Sequence, residues 1–194
     1  MSNRKRPTSK AKTEASRKRD AAARRAARRV RHVPADRFTD DAVWAAEGEE
    51  KPFWETKRLK EMTPEEWDSL CDGCGQCCLN KLEDEDTGRI FLTRLACGLL
   101  DVNSCRCKDY ENRFARMPDC LSIDMKAVRK LKWLPESCAY RRLNEGRGLT
   151  WWHPLISGDP ETVHQAGISV RGWARSEKGV KQDEIERYII GEVG

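Results

Sequence analysis

Hydrophobic positions are spread unevenly along this chain. Through residues 1–32 almost the only apolar side chain is alanine, set among Lys and Arg. Such a segment buries too little surface to offset its chain entropy, so the pattern predicts a disordered basic tail over 1–35. A linker over 36–51 follows, with Pro34, Gly48 and Pro52 punctuating a stretch that carries Phe38 and Trp44. Regular hydrophobic patterning begins only after it, and 52–194 reads as the domain proper.

Within 52–194 the run PFWETKRLKEMTPEEWDSLC sets out a helix. Thr63 suits an N-cap, Pro64 the first helical position, and Glu66 completes a capping box. Trp67, Leu70 and Cys71 share one face, which points Cys71 inward, and Gly73 offers the stop. LNKLEDEDTGRIFLTRLA reads as a β-hairpin turning at DTG, with Ile90-Phe91-Leu92 opening the return strand. A loop then carries Cys105, Cys107 and Cys120. Asp124 to Trp133 reads as a helix ending near Pro135, and SCAYRRLNEG as another closed by Gly146. ISVRGW (168–173) alternates like a strand. QDEIERYII (182–190) reads as a terminal amphipathic helix with Ile185, Tyr188 and Ile189 on one side. The expected fold class is α+β: a small irregular domain, stabilised by a metal or cluster, with short helices and one β-hairpin.

Composition sharpens this picture. The hydrophobic fraction is 38% and the charged fraction 36%, against about 45–50% and about 25% in ordinary domains. A core this lean needs cross-links from metal or disulfides. All nine cysteines lie between Cys71 and Cys138. Their odd number, and a basic N-terminus without the apolar stretch of a secretory signal, argue against a complete disulfide framework. With no run of about 18 apolar residues, the chain is expected in the cytoplasm.

Charge is as uneven as hydropathy. Residues 1–32 hold thirteen Lys and Arg against Glu14 and Asp20, a net of +11, so a total of +5 leaves −6 on the remainder. The tail therefore offers a partner surface for nucleic acid or another polyanion, an anionic membrane included. A solvated extension without a partner and an organelle transit peptide are the competing readings. The acidic remainder disfavours a groove-reading finger, and Cys₂His₂ spacing is absent from the sequence.

The chemistry centres on CDGCGQCC, residues 71–78. Thiolates are soft ligands suited to zinc, iron–sulfur clusters and copper(I). A Cys-x2-Cys step brings two sulfurs to one ion, and both Cys71/Cys74 and Cys74/Cys77 have it, with Gly73 and Gly75 relieving the crowding. Three sulfurs could converge on one centre, as in ferredoxin runs, the fourth coming from Cys78 or from downstream. The adjacent pair Cys77-Cys78 is unusual. Either one of the two serves a second centre, or one is a small core side chain. Nine thiols permit two four-sulfur sites with one left over, or one site plus core cysteines. His32 lies in the tail; His153 and His164 lack a helical His partner and read as packed or surface residues. Glu83-Asp84-Glu85-Asp86 reads as a solvated hairpin face, and Trp151-Trp152 as core or lid aromatics.

CDGCGQCC resembles the Cys-x2-Cys-x2-Cys-Cys motif of the bacterial YkgJ-like cysteine-cluster family, described as chelating zinc or iron. The likeness is strongest to its YcgN-like branch. There it runs from PFWETKRLKEMTPEEWDSLCDGCGQCC through the DEDTG hairpin and CRCKDYENRF to WLPESCAYRRLNEG, WHPL and ISVRG. The resemblance implies a metal site drawn from Cys71, Cys74, Cys77, Cys78, Cys107, Cys120 and Cys138. Cys97 and Cys105 look like features of the branch. Arg113 is followed by Phe114 where the broader family often has Arg-Pro. The wider superfamily includes proteins resembling flagellin lysine methylases with an iron–sulfur cluster.

Three functions follow as expectations. The first is a cytoplasmic protein whose cysteines bind zinc or an iron–sulfur cluster. The second is an iron–sulfur-dependent enzyme of methyl- or electron-transfer type. The third is a nucleic-acid-associated protein anchored by its tail. The sequence carries no dinucleotide fingerprint, P-loop or H-E-x-x-H motif.

Overall fold

Residues 51–193 are described in a computed structural model. The tail expected for 1–35 and the linker through residue 50 lie outside the described residues. The described chain opens with a short turn of helix, α1 (Phe53–Thr56), and a 3₁₀ turn at Leu59–Glu61. Helix α2 (Pro64–Ser69) starts as its sequence dictates. The Thr63 hydroxyl accepts from the Glu66 amide at 3.2 Å, and the Glu66 carboxylate accepts from the Thr63 amide at 2.8 Å. Two long-range bonds pin this helix. Trp67 Nε1 donates to the Ile123 carbonyl at 3.0 Å, and the Tyr140 hydroxyl donates to the Trp67 carbonyl at 2.9 Å. The helix ends one residue before Leu70. Leu70 is buried, and Cys71 follows just outside the helix, an exposed residue whose thiol is nonetheless desolvated and feels the charges of Cys77, Asp72 and Arg106.

The hairpin forms where the sequence predicts it. Strands β1 (Leu79–Glu83) and β2 (Ile90–Ala96) pair antiparallel from Leu79↔Ala96 to Glu83↔Ile90. The acidic run between them is not simply a solvated face. Asp84 is buried, and its carboxylate accepts the amides of Asp86 and Thr87, each at 3.0 Å, which folds the turn. Cys107 lies in a strand rather than a loop. β3 (Leu100–Asp101) and β4 (Arg106–Cys107) form a separate two-stranded sheet. Three short helices follow: α3 (Arg113–Arg116), α4 (Met125–Lys130) and α5 (Ala139–Asn144). Asp124 caps α4 by accepting the Ala127 amide at 2.7 Å. Helix α4 is shorter than the expected 124–133, because the chain leaves it at Leu131.

Two expectations for the C-terminal third are overturned. Residues 168–173 form turns, not a strand: Val170 donates to the Cys74 carbonyl at 2.8 Å, Trp173 Nε1 donates to the Ser169 carbonyl at 2.8 Å, and Gly172 has φ +82°. After α6 (Pro154–Ser157) and α7 (Thr162–Gln165), the strand is instead β5 (Arg175–Ser176), parallel to β2. Residues 182–190 do not form an α-helix. A 3₁₀ segment spans Gln182–Tyr188, and β6 (Ile189–Val193) then pairs antiparallel with the first half of β2. The β-branched Ile189-Ile190 pair suits a strand, and β2 offers it an open edge. β1 thus covers one edge of β2, while β6 and β5 share the other.

The molecule is α+β and has three small cores. Leu59, Leu70, Val128, Ala139, Tyr140 and Leu149 form the first, Leu79, Ala96, Leu100, Cys105 and Val170 the second, and Cys74, Trp152, Val163 and Ile168 the third. Residues 70–79 run through all three: Leu70 enters the first, Cys74 the third, and Leu79 the second. Among the described residues no helix is long and apolar enough to cross a membrane.

Candidate metal centre

The CDGCGQCC segment is a turn held from several sides. Gly73 and Gly75 take the left-handed conformation, φ +74° and +75°. A Cβ on Gly75 would stand 2.9 Å from Val170 Cγ2, so glycine is required by both conformation and space. Just before the first glycine, Asp72 Oδ1 accepts the amide of Cys74, the residue between the two glycines, at 3.0 Å. Gln76 Nε2 donates to the Ile168 carbonyl at 2.7 Å. A 3₁₀ turn over Gln76–Cys78 leads directly into β1.

Four thiols surround this turn. Cys71, Cys74 and Cys77 come from the turn itself. Cys138 stands at the N-cap of α5, packed against the first core beside Tyr140. All nine cysteines are free thiols. Burial pushes the Cys71 and Cys138 thiols up to about 11, with the negative charges of Cys77 and Asp72 adding to it. Burial raises Cys74 well above its ordinary value. Cys77 is the exception. Its hydrogen bond with the Cys78 thiol, 4.0 Å away, lowers it to about 7, and the nearby Lys81 ammonium helps. The same bond raises Cys78, so Cys77 is the thiolate of the pair. Lys81 donates to the carbonyls of Cys77 at 3.0 Å and Leu79 at 2.6 Å, and burial lowers its own pKa to about 8.

Two observations fit a cation at this turn. The donors are soft sulfurs, as zinc and iron–sulfur clusters require. Asp72 Oδ2 is buried with no hydrogen-bond partner, and its charge acts on Cys71, Cys74, Cys77 and Cys138 together. A buried carboxylate oxygen without a donor is costly unless a cation compensates it. Among the described residues, no three Cys, His, Asp or Glu side chains already stand around a common point at metal-binding distance.

The remaining sequence candidates separate. His153 is buried, its Nε2 3.1 Å from the Leu70 carbonyl and its Nδ1 accepting the Leu155 amide at 3.1 Å. His164 Nδ1 bonds the Ser169 hydroxyl at 2.7 Å. Both are packed histidines, and burial lowers the pKa of each. Trp152 is buried and Trp151 exposed. Cys78 stands across from Cys97, whose amide donates to its carbonyl at 2.9 Å, Cys107 pairs with Leu100 across β3 and β4, and the Cys120 amide donates to the Met117 carbonyl at 2.9 Å.

Residues 70–139 match the family described as "CxxCxxCC: Putative zinc- or iron-chelating domain". A UPF0260 protein of Sinorhizobium fredii is 61% identical over 139 residues, covering 72% of this chain and 90% of that protein. A UPF0260 protein of Rhizobium meliloti is 60% identical over 141 residues, covering 73% and 91%. The chain belongs to the UPF0260 family. A further UPF0260 protein, of Rhodopseudomonas palustris, is 58% identical over 139 residues, 71% of this chain and 82% of that protein. No solved structure matches the chain.

Three participants in this UPF0260 site escape a search of the sequence for ligands. Asp72 sits inside the motif as an ordinary x residue, and only its burial singles it out. Lys81 looks like an exposed strand lysine, yet its Nζ lies over the Trp133 ring at 4.0 Å from the centroid. Arg106 lies 35 residues from Cys71 in sequence, yet a Cβ on Gly73 would meet its guanidinium at 3.2 Å. Its positive charge also offsets the raised pKa of Cys71.

Proposed function

We propose that this protein is a cytoplasmic metal protein whose cysteines bind zinc or an iron–sulfur cluster and thereby hold its three small cores together. The ligands come from Cys71, Cys74, Cys77, Cys78, Cys107, Cys120 and Cys138, with Cys71, Cys74, Cys77 and Cys138 grouped around Asp72. The observation that carries the reading is the buried, unpartnered Asp72 Oδ2 amid those four sulfurs. Ligation requires these thiols to lose their protons, and a bound cation would offset both their mutual repulsion and the buried charge of Asp72. Metal binding and folding are then coupled, as in other small metallodomains. Nine free thiols suit a reducing compartment.

The test is elemental analysis of anaerobically purified full-length protein, together with assay of acid-labile sulfide. Stoichiometric zinc without sulfide identifies a zinc site; iron with sulfide and visible colour identifies a cluster. Removal of the metal by a chelator should lower the thermal midpoint and bring the cysteines into reaction with an alkylating reagent. Protein that holds no stoichiometric metal under these conditions overturns the proposal.

A further inference from the structure

We infer that the adjacent residues Cys77 and Cys78 serve two different metal centres: Cys71, Cys74, Cys77 and Cys138 form one, and Cys78, Cys97, Cys107 and Cys120 the other. The inference rests on the reading of the cysteines as ligands and adds their partition, including Cys97, which the family motif does not single out.

Backbone pairing assembles most of the second group. The Leu79↔Ala96 register at the end of the hairpin puts Cys78 across from Cys97, and the Cys97 amide donates to the Cys78 carbonyl at 2.9 Å. Residues so placed have side chains about 4.5–5.5 Å apart at Cβ. The chain then turns tightly. Leu100 donates back to the Cys97 carbonyl at 2.9 Å, and the Leu99 amide stands 3.5 Å from Cys97 Sγ. Leu100 pairs with Cys107 across β3 and β4, and the Lys108 amide donates to the Leu99 carbonyl at 2.8 Å. Three consecutive segments therefore deliver Cys78, Cys97 and Cys107 to one end of the hairpin. Cys120 completes the set from the loop after α3.

The neighbours of each thiol divide the same way. Cys120 feels the charges of Cys97, Cys107 and Cys77, and Cys78 feels those of Cys77, Cys97 and Cys120. The charges acting most strongly on Cys71, Cys74 and Cys138 include Cys77 and Asp72 but none of Cys78, Cys97, Cys107 and Cys120. Cys77 and Cys78, whose sulfurs stand 4.0 Å apart, form the junction between the two groups. Cys105 belongs to neither: its thiol points to the Val102 carbonyl at 3.8 Å within the second core, and its φ is +56°. Nine cysteines thus divide into two sets of four and one core residue, and four thiolates close a structural zinc site or hold one iron–sulfur cluster. The 4.0 Å between Cys77 Sγ and Cys78 Sγ is close to the sulfur spacing on a single tetrahedral zinc, about 3.8 Å for Zn–S bonds of about 2.3 Å. That distance does not choose between one centre and two; the register that sets Cys78 across from Cys97 is what favours two.

The deciding measurement is the metal content of the intact wild-type chain, isolated anaerobically, alongside Cys78→Ser, Cys138→Ser and the double variant. Two centres per chain are expected, with each single variant losing half the metal and the double variant losing all of it. One centre per chain in the wild type overturns the partition while leaving metal binding standing. So does a double variant that holds as much metal as either single one. Metal-free wild type overturns the underlying reading instead. Because a cysteine variant can fail to fold, titration of wild-type protein with a thiol-specific mercurial supplies a second count. Eight thiols are expected to be consumed as the metal is released in full, and release complete after four refutes the second centre.

Discussion

Asp72 holds the Cys74 amide with one carboxylate oxygen, at 3.0 Å, and buries the other without a partner. The two oxygens have separable roles, which two substitutions resolve. Asp72→Ala removes the acceptor and leaves a buried amide unsatisfied, which costs about 1–3 kcal/mol. Asp72→Asn keeps an oxygen for that amide and removes only the charge. Its stability should stay closer to that of the parent, while metal affinity falls about 10–100-fold, the usual effect of altering a group that supports the ligands. Denaturant unfolding and chelator competition measure the two effects. Unchanged affinity in Asp72→Asn would confine Asp72 to shaping the turn.

Gly75 and Gly146 make a matched pair for testing how tightly the cysteine turn is packed. Both are left-handed, at φ +75° and +73°. A Cβ at Gly146 meets open space, whereas at Gly75 it would come within 2.9 Å of Val170 Cγ2. Gly146→Ala should therefore cost only the conformational strain, about 1–2 kcal/mol. Gly75→Ala should cost about 1–3 kcal/mol more, since Val170 is buried and cannot retreat. Equal losses of stability in the two variants would show that the contact with Val170 yields freely.

These contrasts also show which features a sequence can express. The capping box at Thr63 and Glu66 and the hairpin around Asp84–Gly88 were legible, because each depends on residues within a few positions of one another. The strand at Ile189–Val193 was not. Its helical periodicity competed with an edge of β2 located about 100 residues earlier, and pairing with that edge prevailed. ISVRGW alternates as a strand does, but its Val170 amide is taken by the Cys74 carbonyl. The motif cysteines were visible in order and type. Their neighbours were not: Asp72, Lys81 and Arg106 act through burial and proximity that no spacing rule encodes.

Thr63 gives a direct measure of how far local signals stabilise a domain with such small cores. Its hydroxyl satisfies the Glu66 amide at the start of α2. Thr63→Ala should lower stability by about 1 kcal/mol, within the range of about 0.5–2 for lost N-caps. Thr63→Ser, which retains the hydroxyl, should recover most of that loss. The helix carries Trp67, which packs on Tyr140 at 4.9 Å between ring centroids, so tryptophan fluorescence follows the transition. Alanine and serine variants of equal stability would mean that the cap contributes nothing.

His153 makes the folded protein sensitive to mild acid, and the sign of the effect follows from its hydrogen bonds. The Leu155 amide can only donate, so Nδ1 must accept and the ring proton sits on Nε2, which donates to the Leu70 carbonyl. A second proton on Nδ1 would face a donor. Burial likewise holds the pKa below the ordinary 6.5. The unfolded chain therefore takes up the proton first as pH falls. The stabilisation is complete above about pH 6.5 and is lost progressively from there down through the depressed folded pKa. His164 shifts in the same direction, through burial and then Arg171, so part of the slope survives when His153 is replaced. His153→Gln, compared with the parent at equal metal content between about pH 8 and pH 5, should show a shallower loss of stability toward acid. Identical slopes in the two proteins would show that His153 does not titrate on unfolding, and would assign the acid response to the remaining groups.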